Sequence, residues 1–246
     1  MPAGTKPRKQ PAGPSGDARF FVLFGKIDKH VAALAHKHGS AAAGALSPRA
    51  ATIGAGDAAL RLNSSGWLDL PPQSASQLNS HDDRKRFCRR ALQRAVPLFS
   101  RPLERFVSSY FDFVDEEIER RRDALELKLA EAGFDPGAAF PDYRDWFFSA
   151  FLPLPNAHLQ WRGDFIPFDV VFWTGTRLVA VLIDSLSMKT PRHLRAVEAL
   201  AAGHECVEVV RIAPSDMASL QARLGDFTEG CRIPFGPFRS AGLGPL

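Results

Sequence analysis

Cysteine, methionine and tyrosine are scarce in this chain of 246 residues: three, three and two. The cysteines, Cys88, Cys206 and Cys231, are odd in number, far apart and without zinc-ligand spacing. That excludes a disulfide framework and a structural zinc site, and points to reduced thiols in a cytoplasmic compartment. Long apolar runs are missing as well. Charge interrupts every hydrophobic stretch, so no segment reads as a transmembrane helix, and no membrane partner is expected. No secretory apolar region follows the basic N-terminus, so export is not expected. There is no Gly-x-Ser-x-Gly elbow, and an α/β-hydrolase reading finds no support. Gly54-Ala55-Gly56 lacks both the preceding strand and the remaining fingerprint of a dinucleotide loop. His36-Lys37-His38 has no third ligand at a recognised spacing, which leaves surface histidines.

What remains is 45% hydrophobic, enough to bury a sizeable core, with a net charge of +4 and a pI near 9.1 that permit a polyanion partner. The distribution of that charge matters more than its sum. Residues 1–16, with Lys6, Arg8 and Lys9 among prolines and glycines, read as a disordered basic tail. A mainly helical N-terminal region is expected over 17–135. It opens with a helix from Asp17, on Phe20, Phe24, Ile27, Val31 and Leu34 at helical spacing; a strand through Phe20 to Phe24 competes. A linker rich in Ala, Gly, Ser and Pro occupies about 39–80, with short structured pieces at most, such as Ala58 to Leu62 and Trp67 to Leu70. His81 to Phe99 follows as a basic amphipathic helix, crowded by Arg84, Lys85, Arg86, Arg89, Arg90 and Arg94. A long helix at about 102–132 has an apolar stripe of Leu103, Val107, Tyr110, Val114, Ile118, Leu125 and Leu129. At 1.5 Å per residue it reaches roughly 45 Å, enough to project as an arm or to pair with a second copy in a homodimer.

The α/β core is expected over 136–228, ahead of a loop tail at 229–246. An aromatic helix, Phe140 to Phe151, opens it, and the Pro153-Leu154-Pro155 turn leads to a first strand at Leu159 to Arg162. Phe168 to Trp173 and Leu178 to Ile183 are rich in strand formers, and Thr174-Gly175-Thr176-Arg177 between them suits a two-residue type II′ hairpin turn. With Thr174 facing Arg177, Asp169 lies opposite Leu182. Asp184 then falls on the same face one diagonal step away, roughly 7–8 Å at the backbone. Thr190 as N-cap, Pro191 at the first position and Gly203 as stop signal frame a helix. That helix leads to a strand at Val207 to Ile212 through a parallel crossover. Ser215 can cap a last helix through Leu224.

This order of elements, with Phe168-Asp169-Val170-Val171, Val181-Leu182-Ile183-Asp184 and the later Val207 to Ile212, resembles the PD-(D/E)XK nuclease superfamily. More narrowly, it is similar to the branch of very-short-patch-repair endonucleases. Tyr143 to Phe148 and Leu159-Gln160-Trp161-Arg162 stand where that branch carries its leading helix and strand. The resemblance implies a restriction-endonuclease-like α/β fold, a mixed sheet flanked by helices. It implies a DNA endonuclease in which Asp169 and Asp184, joined by Asp145, hold Mg²⁺ through hard oxygen ligands, with Lys189 near the phosphate. The chain departs from the pattern where the family's Glu falls on Leu182, the Lys position on Asp184 and the usual Gly on Ser185. A catalytically inactive scaffold for protein or DNA contacts is therefore the alternative. In either version Arg84, Arg86, Arg89, Arg90 and Arg94 are the expected nucleic-acid contacts; a solvated face paired with downstream acids competes.

Overall fold

The structure is a computed structural model that describes residues 19–25, 50–54, 61–62, 80–97, 100–131, 144, 152–174, 177–184, 190–220 and 223–225. It is a mixed α/β fold. In chain order come β1 (Arg19–Leu23), β2 (Ala50–Gly54), β3 (Arg61–Leu62), α1 (His81–Ala95) and α2 (Arg101–Glu131). Then follow β4 (Leu154–Trp161), β5 (Asp164–Trp173), β6 (Leu178–Ile183), α3 (Pro191–Gly203) and β7 (Val207–Ile212). The described strands form one seven-stranded sheet in the order β3-β2-β1-β4-β5-β6-β7, antiparallel throughout except for the parallel β6–β7 pair.

The centre of the sheet follows from residue type. β6 reads Leu-Val-Ala-Val-Leu-Ile, and all six residues are buried. Such a continuous apolar run is what a strand covered on both faces requires. Its pairing with β5 has the expected register: Trp173 faces Leu178, Val170 faces Val181, and the Thr174 N–H donates to the Arg177 carbonyl at 3.0 Å. Gly175 and Thr176 themselves lie outside the described residues. α3 begins as its sequence predicts, the Thr190 hydroxyl accepting from the His193 N–H at 3.2 Å, and returns the chain to β7 alongside β6.

Other expectations need correction. The N-terminal region opens with a strand and not a helix, although α1 and α2 make most of its described residues helical. Phe20, Phe21, Val22 and Leu23 form a strand, the competing reading, because aromatic and β-branched side chains in succession fit a pleated surface. β1 pairs with β4 (Val22 with Leu159) and with β2, which lies inside the expected linker, and so extends the core sheet. The first core strand starts earlier than expected, at Leu154, and takes in Pro155. A tight turn joins it to β5, with Arg162 at φ 51° and Gly163 at φ 88°, the two left-handed residues of a type I′ hairpin. Pro167 sits inside β5 because the β6 pairing begins only at Val170, so the missing N–H deprives no described neighbour. Gly203 is the last residue of α3 and not a left-handed stop. A Cβ there would lie 2.9 Å from Cζ2 of Trp161, so the glycine serves close approach of helix to sheet. Ser215 stands inside a 3₁₀ segment, Pro214–Ser219, and not at a helix cap. The Phe140 to Phe151 helix, apart from Arg144, and the tails lie outside the described residues.

α1 and α2 run antiparallel. α2 buries Leu103, Phe106, Val107, Tyr110, Phe111, Phe113, Val114 and Ile118 in the same core as the sheet. Past Ile118 no described side chain of the helix belongs to that core. Leu127 is 61% exposed, and Glu117 holds Arg120 and Arg121 while Glu119 holds Arg122. Such pairs at i,i+3 and i,i+4 support a helix that packing no longer supports.

Candidate functional site

Asp169 and Asp184 occupy the end of the β5–β6 hairpin away from its turn. The observed register places Asp169 opposite Leu182, and the parallel register places Arg211 beside Leu182. One face of three neighbouring strands therefore reads Asp169, Leu182, Arg211: a carboxylate, an apolar residue 1% exposed, and an exposed cation. The Asp169 carboxylate has an internal use. Its Oδ2 accepts the Ile183 N–H at 2.6 Å. Ladder pairing of β5 with β6 ends at Val170 and Val181, so this side chain satisfies a backbone donor that the ladder leaves over. Asp184 is exposed in the turn after β6, its N–H donating to the Ile212 carbonyl at 3.0 Å. Asp145 and Lys189 lie outside the described residues. Among the described residues no three of His, Cys, Asp and Glu gather into a metal-binding group. Asp169 is bonded to the backbone and Leu182 is buried beside it, so Asp184 is the exposed carboxylate of the expected set among the described residues. No catalytic step is derived through a Mg²⁺ ion.

The backbone around Asp169 is nevertheless irregular. Asn156, opposite it on β4, has φ 48°, and its amide donates to the Gly25 carbonyl at 2.6 Å. Neighbouring pairs in the β4–β5 ladder flank this break. A local kink of this kind re-aims side chains.

The basic helix sorts its cations by spacing. Lys85, Arg89 and Gln93, four residues apart, face α2. Lys85 meets Asp115 at 3.1 Å, Arg89 meets Asp112 at 3.3 Å, and Gln93 meets Ser108 at 3.4 Å. Arg86, Arg90 and Arg94, also four apart, form the adjacent stripe, and all three are exposed. Arg86 reaches only Asp83, one turn before it, at 3.6 Å. Arg90 and Arg94 make no ion pair among the described residues. Arg101 and Arg105, exposed in the first turns of α2, add cations at the closed end of the same hairpin; sequence reasoning did not select them. Nor did it foresee Asp112 and Asp115 as the partners of α1. Their i,i+3 spacing, matched to i,i+4 cations on the preceding helix, was the available signal. The Arg84 backbone lies within α1.

A third group sits where α3 ends. His204 packs edge-on against Trp161 (ring centroids 4.4 Å apart) and Phe20 (5.1 Å), and the Arg162 guanidinium lies 5.0 Å from the Trp161 ring centre. Burial and then the Arg162 charge hold the His204 imidazole below its usual pKa. Burial alone does the same to His158, which pairs with Leu23 and Pro167 inside the sheet.

No family model, curated protein or solved structure matches this chain.

Proposed function

We propose that this protein binds DNA through the backbone phosphates, using α1 on a nuclease-like α/β scaffold. The carrying observation is the Arg86, Arg90 and Arg94 stripe. It spans about 12 Å of helix on one exposed side, with two of its three guanidinium groups unpaired among the described residues. Within α1, six basic side chains stand against two acidic ones. Arginines carried by a helix that is itself packed into the core meet phosphate without any ordering of the backbone. Binding then draws on release of condensed counterions, and is independent of base sequence.

The test is a titration of a labelled DNA duplex over a range of salt with the full chain. Changing Arg86, Arg90 and Arg94 together to Gln should weaken binding and flatten the slope of log affinity against log salt by about 2.7, at 0.9 per phosphate contact. Unchanged affinity and slope in a folded triple variant would remove α1 from the interface.

A second reading, a Mg²⁺-dependent endonuclease using Asp169 and Asp184, is favoured by the left-handed Asn156 next to Asp169, because backbone irregularity concentrates at working sites. The distal half of α2 supports neither reading. Its arginines already pair within the helix, and pairing of two copies through it draws on no further observation.

A further inference from the structure

We propose that Asp112 and Asp115 are an electrostatic mask over the DNA-binding face: they hold Lys85 and Arg89 away from phosphate and set the protein's affinity below what α1 alone would give. The inference rests on the binding role proposed above and concerns its regulation. α1 displays two parallel rows of charge. One row, Arg86, Arg90 and Arg94, is exposed; the other, Lys85 and Arg89, lies along the seam with α2. Lys85 Nζ is 3.1 and 3.2 Å from the two carboxylate oxygens of Asp115 and 3.4 Å from Asp82, so three oxygens share its charge. Arg89 sits 3.3 Å from Asp112.

These rungs contribute little to holding the helices together. The side chains of Lys85 and Asp115 are 24% and 38% exposed, and those of Arg89 and Asp112 are 36% and 52% exposed, a setting in which ion pairs are weak. The hairpin is fixed from its apolar side, by Leu92 and Ala95 on α1, Val96 at its C-terminal cap and the buried stripe of α2. The two carboxylates thus carry an electrostatic consequence larger than their structural one. They cancel two cations of the helix that stand one position from the arginine row and so keep them from a phosphate arriving there. A phosphate strand arriving at Arg86, Arg90 and Arg94 can recruit Lys85 and Arg89 only by displacing Asp115 and Asp112. Anything that neutralises those two acids unmasks the whole face.

The experiment uses the full chain, a labelled DNA duplex and a salt series. Asp112→Asn with Asp115→Asn should bind about tenfold more tightly at low salt, with a log–log slope steeper by about 1.8, the value for two added phosphate contacts. Adding Lys85→Gln and Arg89→Gln to that variant should abolish the gain, whereas the same two changes in the natural chain should leave affinity within about twofold. An unchanged slope in the Asn variant overturns the mask. So does a gain that survives loss of Lys85 and Arg89, since removal of negative charge alone would then explain it. If the Asn variant fails to fold, the Lys85→Gln, Arg89→Gln chain decides: a large loss of affinity there shows that both cations were already on the DNA. Binding by the Asn variant alone supports the mask, and absence of binding in every variant overturns the DNA-binding role itself.

Discussion

The β5–β6 hairpin and the α1–α2 hairpin both carry ionisable residues at regular spacing, and the fold treats them in opposite ways. On the sheet, Asp169 bonds to the backbone of its own hairpin and Leu182 is buried beside it. On the helices, Arg86, Arg90 and Arg94 stand in solvent. The cause is coverage. The N–H of the buried Ile183 has no water to satisfy it and takes the half-buried Asp169 carboxylate as its acceptor. A helix buried along one stripe leaves its opposite side wet, and charge there needs no internal partner. Charge that the fold uses is poor evidence for a site; charge that the fold leaves unused is better evidence.

The sharpest way to break this comparison is to put charge where the sheet has none. Leu182→Glu would place a carboxylate between Asp169 and Arg211. Without a metal it should destabilise the protein by about 3 kcal/mol, the order for a buried carboxylate next to Asp169 that the exposed Arg211 beside it only partly offsets. Denaturant unfolding with and without Mg²⁺ reads the outcome. Recovery of stability with the ion, together with calorimetric binding, would show that the Asp169 end is a degenerate metal site. No divalent binding in either the natural chain or Leu182→Glu would end the endonuclease reading.

Next in size is the aspartate itself. Asp169→Ala removes the acceptor of the Ile183 N–H and should cost about 1–3 kcal/mol, the penalty for a part-buried donor left unpaired. Asp169→Asn keeps an oxygen in place and should cost clearly less. Equal losses in the two variants would mean that the carboxylate charge, not the hydrogen bond, stabilises the hairpin end. Gly203→Ala probes a neutral contact for comparison. Its methyl would sit 2.9 Å from Trp161, and thermal unfolding should show a loss of about 1–3 kcal/mol from overpacking. Helix propensity alone would predict a gain, so even the sign discriminates.

The parts of this fold legible in the sequence are those set by neighbours. A two-residue turn and a period of two placed Asp169 opposite Leu182, and Thr190-Pro191 placed the start of α3. What escaped were features set at a distance. β1 is a strand because β4, far along the chain, offers it an edge, whereas the spacing of Phe20, Phe24 and Ile27 fits a helix when read alone. Gly203 looks like a stop signal until Trp161 is known to lie against it. On α1 the cations were evident, but which of them α2 would neutralise depended on the rotation of one helix against the other. Spacing suggests that rotation, and only packing fixes it.

The smallest expected effect concerns two histidines that the fold keeps neutral. His158 and His204 both have pKa values lowered by burial, His204 also by Arg162. In the unfolded chain each titrates near about 6.5. Between the lowered native value and that one, the unfolded state binds more protons, so stability rises with pH. Their contribution is complete above the unfolded pKa and is lost as pH falls through the window below it. Thermal midpoints should therefore be lower at about pH 5.5 than at about pH 7.5, an interval in which ordinary carboxylates stay ionised. His204→Gln should flatten part of that slope and His158→Gln another part. The two sites share no partner among the described contacts, so their effects should add. A midpoint that rises on acidification would mean that these rings gain partners as cations, and that burial does not govern them.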